Sequence, residues 1–174
     1  MLGIPIGLLY ASFGEWFIHK KVLHEWGQDK ESFWNFHFDE HHALVRQNDF
    51  KDPSYDRDLL NFDWNPQTKE AVGLAILVGA HMPLFPIFPF FTGTILFSGI
   101  HYYTTHKRAH QDPEWAKEHL PWHYDHHMGK NQHANWGVTN DWADRILGTK
   151  IPYHGTEDEK RDLEKKRLRV LQKQ

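Results

Sequence analysis

The sequence contains no cysteine. That absence excludes disulfides, thiolate zinc sites, iron–sulfur clusters and cysteine nucleophiles together. An excess of positive charge is missing too. The 174 residues carry 20 Lys and Arg against 23 Asp and Glu, a net charge of −3, which argues against nucleic acid as a partner. Common catalytic signatures are also lacking: there is no Gly-x-Ser-x-Gly, no Walker loop and no Gly-x-Gly-x-x-Gly. The run from His24-Glu25 has Gln28 where a His-Glu-x-x-His zinc motif needs its second histidine. The length suits one domain.

What the chain does have is histidine, 15 residues of it, beside 12 Phe, 8 Trp and 6 Tyr. Packing has no need of so many imidazoles, and histidine is the commonest metal ligand. Composition alone therefore points towards a metal site.

The mean hydropathy of −0.69 resembles that of a soluble protein, but the apolar residues are bunched. Residues 2–18 carry one charge, Glu15, and end at His19-Lys20-Lys21. As a helix this segment spans about 25 Å, just short of a hydrocarbon core of about 30 Å. It reads as a membrane anchor, or alternatively as a buried helix of a soluble domain. A secretory signal peptide fits poorly, for want of a basic start and a small-residue cleavage site. Asn65 before Pro66 reads as a helix N-cap, and the helix runs on into an apolar arm over 70–83. Pro83, Pro86 and Pro89 then break it, and a second apolar arm follows over 90–105. Two arms around a proline turn read as a hairpin in the bilayer, each short for a full span, or as a buried hairpin in a soluble core. Residues 157–174 are a charge run, expected as a solvated helix or frayed tail after a domain over 1–156. The positive-inside rule puts 19–69 and 106–174 in the cytosol. The fold expected is all-α: an integral-membrane helical bundle with a short apolar hairpin and a cytosolic, histidine-rich di-metal cap.

The histidines fall into four clusters: His19 and His24; His37, His41 and His42; His101, His106 and His110; and His123, His126 and His127. On an α-helix, His37/His41, His106/His110 and His123/His127 stand about 40° apart and can reach one metal. His123/His126 share that face. The five-residue steps His19/His24 and His101/His106 stand about 140° apart, so they serve one metal only near a helix end, or serve two. The third cluster is open in this respect: His101/His106 or His106/His110 supplies the ligands, with His106 in either case. So many imidazoles exceed the four positions of one tetrahedral zinc and suit two metals held mainly by nitrogen. His81, His119, His133 and His154 read as ordinary satisfied histidines.

In order along the chain stand His-x4-His after an apolar segment, His-x3-His-His, an apolar hairpin, and histidines leading into His-x2-His-His. Asn135-Trp136-Gly137-Val138-Thr139 follows, then Asp144 and a terminal Gly148-Thr149. This series resembles the fatty acid hydroxylase/sterol desaturase superfamily of membrane-bound oxygenases over roughly residues 8–156. It departs in Trp142-Ala143-Asp144, where the family has adjacent Trp-Asp. The resemblance implies two iron ions, with zinc as an alternative occupant on purification, that use O₂ to hydroxylate or desaturate a lipid such as a fatty acyl chain. It also implies a lipid substrate from the bilayer and a separate electron-transfer protein of cytochrome b5 or ferredoxin type. Carotenoid-ring hydroxylase and sterol desaturase are alternatives within the superfamily, and a non-redox zinc protein is an alternative outside it. Asp39, Glu40, Asp125 and Asp144 are candidates to orient the imidazoles. The aromatics Trp34, Phe36, Phe38, Trp122, Tyr124 and Trp136 are candidates to wall the site.

Overall fold

The computed structural model describes residues 2–172. It is all-helical, with no strand among the described residues. Helix α1 (Gly3–Phe17) leads without a break into a π-helical stretch, Ile18–Glu25. A loop and a second π-helical stretch, Phe36–His42, run into the short α2 (Ala43–Gln47). The hairpin expected from the proline turn is present as α3 (Pro66–His81) and α4 (Pro89–Gln111). Asn65 caps α3 by accepting from the Thr68 amide at 3.0 Å, and Pro66 supplies a first-turn residue that needs no hydrogen-bond partner. Then come α5 (Pro113–His119), α6 (Pro121–Met128), α7 (Trp142–Leu147) and α8 (Glu157–Leu171).

Helices α1 and α3 both pack along α4. Gly7 makes the approach of α1 possible, since a Cβ there would stand 2.8 Å from the Thr94 side chain. The outer faces of these helices are apolar and exposed, as at Leu9, Phe13, Ile76 and Ile100. Among the described residues no helix is long and apolar enough to cross a membrane. The second arm does not stop at residue 105: α4 continues to Gln111 and carries His106 and His110 with it into the polar half of the molecule.

That polar half has an unusual interior. A small apolar cluster forms on one side from Val45, Phe50, Ala109, Ala116, Leu120 and Tyr124. Most of the remaining core is imidazole: His19, His24, His41, His42, His106, His110, His123, His126 and His127 are all buried to within 2 %. The charge run over 157–174 is helical through Leu171 and docked rather than free. Glu159 is buried and accepts from the Gly155 amide at 2.7 Å, and Lys166 pairs with Asp49. Met1, Lys173 and Gln174 lie outside the described residues.

Candidate metal centre

Two groups of histidines converge. His19, His24, His37, His42 and His126 form one, and His41, His106, His110 and His127 form the other. Within each group one ring nitrogen per residue lies within 4.8 Å of all the rest. His123 flanks the second group, its Nε2 3.1 Å from His110 Nε2.

The local backbone explains why these residues meet. In a π-helix the hydrogen bonds run i→i+5, so residues five apart share a face as residues four apart do in an α-helix. His19/His24 and His37/His42 lie in the two π-helical stretches, and each pair serves the first group. The α-helical reading of His37/His41 as one pair is thereby overturned. His41 turns to the second group, and the neighbours His41 and His42 separate between the two. His126 and His127 divide in the same way on α6, where His123 and His127, four apart, stay together. His106 and His110 make an ordinary α-helical pair on α4. His101 belongs to neither group: it is exposed, stacks on Phe97 and accepts from or donates to Thr105.

The outer nitrogens fix the orientation of the rings. His19 Nδ1–H donates to the Trp136 carbonyl at 2.7 Å, His126 to the Ala134 carbonyl at 2.7 Å, and His110 to the Phe50 carbonyl at 3.0 Å. His41 donates to Asp52 Oδ2 at 2.7 Å, and His106 to the Glu70 carboxylate at 2.9 Å. The three carbonyls and the Asp52 carboxylate carry no proton, so His19, His126, His110 and His41 hold theirs on Nδ1 and turn the Nε2 lone pair inward. The carboxylates that do this, Asp52 and Glu70, were not among the expected orienting acids. Asp39 and Glu40 are exposed. Asp125 accepts from the His154 amide, and Asp144 from the amides of Trp136 and Gly137. Asp52 follows a turn and Glu70 sits in a helical run, and neither stands near a histidine in sequence.

Loop strain positions two of these acceptors. Asp49 and Phe50 both have positive φ, 56° and 76°, a conformation that costs a non-glycine residue about 1 kcal/mol or more. It delivers the Phe50 carbonyl to His110 and brings Asp52 under His41. The Asn135–Thr139 segment does the same for the first group. Asn135, at φ 58°, is clamped to Ile151 by two hydrogen bonds. Asp144 grips the next two amides, and Glu15 of α1 accepts from the amides of Val138 and Thr139. Gly137 has no room for a side chain, because a Cβ would fall 2.0 Å from the Asn140 carbonyl.

The aromatic walls agree in part with expectation. Trp136 packs on His24 at 4.8 Å between ring centres, and Phe38 stacks near His42. Trp34 and Phe36 line an adjoining cavity, while Tyr124 packs on Phe50 and Trp122 donates to the Val138 carbonyl. Phe50 and Tyr55, which enclose His110, were not foreseen. His81, His119, His133 and His154 stay outside both groups.

Burial holds the imidazoles neutral. It pushes His19, His37, His42, His110, His123 and His127 well below the ordinary histidine value, helped by neighbouring rings, and takes His126 down to about 3. His41 is also lowered by burial, against the pull of Asp52. Burial alone would raise Asp52, but His41 and Ser54 hold its carboxyl below the usual range. Neutral imidazole is the metal-binding form.

The residues fit a pair of cations. His110 spends its Nδ1–H on the Phe50 carbonyl, so its Nε2 faces His106 Nε2 at 3.1 Å with a lone pair. A second proton on His110 is opposed by its burial, which leaves that lone pair free for a cation between the two rings. His41 Nε2 and both nitrogens of His127 are buried without any partner, each a cost of about 1–3 kcal/mol unless something binds them. In the first group five Nε2 pairs, His19/His37, His24/His42, His37/His42, His24/His126 and His42/His126, stand 3.0–3.3 Å apart, and all five nitrogens lie within 4.8 Å of one another. Ligands at right angles on an ion with bonds of about 2.1 Å would stand about 3.0 Å apart, and tetrahedral ones about 3.4 Å. Five nitrogens so spaced suit a coordination number above four.

Between α1, α3 and α4 lies a cavity of about 610 Å³ whose lining includes His19 and His37 of the first group and His106 of the second, with Glu70 beside them. Its other walls are mainly apolar, among them Ile18, Leu74, Leu77, Val78 and Ile95. One apolar chamber thus reaches both groups. No family model matched the chain, and neither did any curated protein or solved structure.

Proposed function

We propose that the protein is a lipid-hydroxylating oxygenase with two non-haem iron ions, working at a membrane and supplied with electrons by a separate donor protein. One observation carries this reading: two buried all-imidazole groups side by side, both reached by a single apolar cavity. His19, His24, His37, His42 and His126 would hold one iron, and His41, His106, His110 and His127 the other, with His123 in reserve beside it. Bound there, the metals would supply the activation of O₂ for attack on an unactivated C–H bond.

The chain's own residues do the rest. The carbonyls of Trp136, Ala134 and Phe50, with Asp52 and Glu70, keep the imidazole lone pairs aimed inward. Apolar walls exclude water from the reacting carbon and select a hydrocarbon chain over a polar substrate. Tyr55 donates to Glu70, which steadies the carboxylate that holds His106. The exposed apolar faces of α1, α3 and α4 favour a bilayer around the cavity end, with the histidine half in the cytosol. A lipid then enters from the side on which it resides.

The test is elemental analysis of the purified protein, Mössbauer spectroscopy, and O₂ consumption with reductant and a lipid pool. Close to two irons per chain and lipid-dependent O₂ uptake are expected. Two zincs with no iron after iron-supplemented growth, or iron without any O₂ uptake, would overturn the reading.

A further inference from the structure

The wall of the apolar cavity carries a polar pair, half exposed at Tyr10. Tyr10 of α1 and His81 of α3 both line it, and their side chains are 3.0 Å apart. His81 Nδ1–H donates to the Leu77 carbonyl at 2.8 Å, so its Nε2 is an acceptor and the Tyr10 hydroxyl donates to it. Tyr10 also meets Phe91 of α4 edge-on, with ring centres 5.4 Å apart. The three helices that wall the cavity are therefore tied together at one level. That level is remote from the imidazoles. Tyr10 is nine residues before His19, about 13 Å along a helix, and His81 is eleven residues after Glu70, about 16 Å.

Nothing in the histidine half uses these two side chains, and each already satisfies the other, so neither is left to bind a polar ligand. We infer that Tyr10 and His81 form the distal stop of the cavity and set how long an apolar chain can lie between them and the metal-facing imidazoles. The inference rests on the lipid reading above and adds the residues that determine chain length.

The experiment measures binding rather than turnover. A homologous series of straight-chain saturated fatty acids displaces a fluorescent fatty acid from the full chain in detergent micelles, with metal content recorded alongside. For the wild type, affinity should rise with length and level off at a definite chain. Tyr10→Ala should move that plateau to longer acids, each newly accommodated methylene being worth about fourfold in affinity. His81→Ala removes the other half of the stop, should move the plateau the same way, and serves if Tyr10→Ala does not fold. Tyr10→Phe keeps the ring and should keep the wild-type plateau.

Folded Tyr10→Ala and His81→Ala proteins with the wild-type plateau would overturn the stop. So would a uniform loss of affinity in Tyr10→Phe, which would make the pair a headgroup site. A wild type that binds no acid of any length overturns the lipid reading and the stop together. Length-selective binding shifted by the variants, in a protein that consumes no O₂, supports the stop while removing the oxygenase.

Discussion

Replacing Asp52 with asparagine should cost the second histidine group its metal while sparing the first. Asp52 Oδ1 accepts from both the amide and the hydroxyl of Ser54, at 2.8 and 2.7 Å, and Oδ2 accepts from His41 Nδ1–H at 2.7 Å. An asparagine has one carbonyl oxygen, and the two Ser54 donors claim it. Its NH₂ then faces His41 Nδ1 and forces that ring into the opposite tautomer, with the proton on Nε2 where a lone pair is needed. Both side chains are wholly buried, so water does not rescue the arrangement. A hydrogen bond to a charged group is worth about 1.5–3 kcal/mol, and loss of such a partner typically lowers metal affinity about 10- to 100-fold. The assay is metal content per chain, by elemental analysis, after equilibration in graded chelator. Wild type should fall from two metals to none at high chelator, whereas Asp52→Asn should drop to one at a concentration about 10- to 100-fold lower. Asp39→Asn, on an exposed acid, is the control and should match wild type. Two metals retained with wild-type affinity in Asp52→Asn would refute the tautomer argument, and simultaneous loss of both would refute the division into two groups.

Other expectations follow from the same geometry. His101→Ala, His133→Ala and His154→Ala should keep the wild-type metal content, while His106→Ala and His127→Ala should each lower it by one metal, since only the latter two residues face a group. The metal-free protein should be acid-labile. Nine buried histidines, His19, His24, His37, His41, His42, His110, His123, His126 and His127, have lowered values when folded. Below about pH 6.5 the unfolded chain therefore binds protons that the folded chain refuses, and stability falls as pH falls, by up to about 1.4 kcal/mol per histidine per pH unit. The sum, on the order of 12 kcal/mol per unit, rivals the entire stability of a domain, so unfolding should come within about one to two units of pH 6.5. A melting temperature flat down to about pH 5 would falsify it. Gly137→Ala forces a Cβ onto the Asn140 carbonyl and should cost about 1–3 kcal/mol. Calorimetry should show this as a fall in Tm of roughly 3–10 °C, with release of metal from the first group, whose His19 acceptor lies next door at Trp136.

The hairpin, its proline turn and the Asn65 cap were legible because each depends on local chemistry: a run of apolar residues, a ring without an N–H, a side chain that bonds its own helix start. The histidine set was legible as a composition and as four clusters. Its partition was not. Spacing arguments assumed α-helical periodicity, and His19/His24 and His37/His42 come together only because their backbones widen to i→i+5 bonding. Propensity does not mark such stretches, since a π-helix forms where tertiary contacts reward the extra residue. His101 was included for the same reason reversed: α4 is a regular helix there, and a five-residue step turns the side chain away from both groups, onto Phe97.

The orienting partners show where sequence reasoning ends. Asp52 and Glu70 look like any turn acid and any helix acid, and the carbonyls of Phe50, Ala134 and Trp136 have no sequence signature at all. They became partners through loops held in left-handed conformations at Asp49, Phe50 and Asn135, whose strain is offset by contacts from distant segments. Residue types and short-range order alone determined that the chain is helical, that apolar and imidazole-rich stretches alternate, and that imidazoles dominate the groups that could hold a metal. Which histidines share a centre, which nitrogen of each ring faces inward and what shape of cavity meets them were decided only by tertiary structure. Each of these depends on groups far apart in the chain meeting within a hydrogen bond's length, and no local propensity encodes that distance.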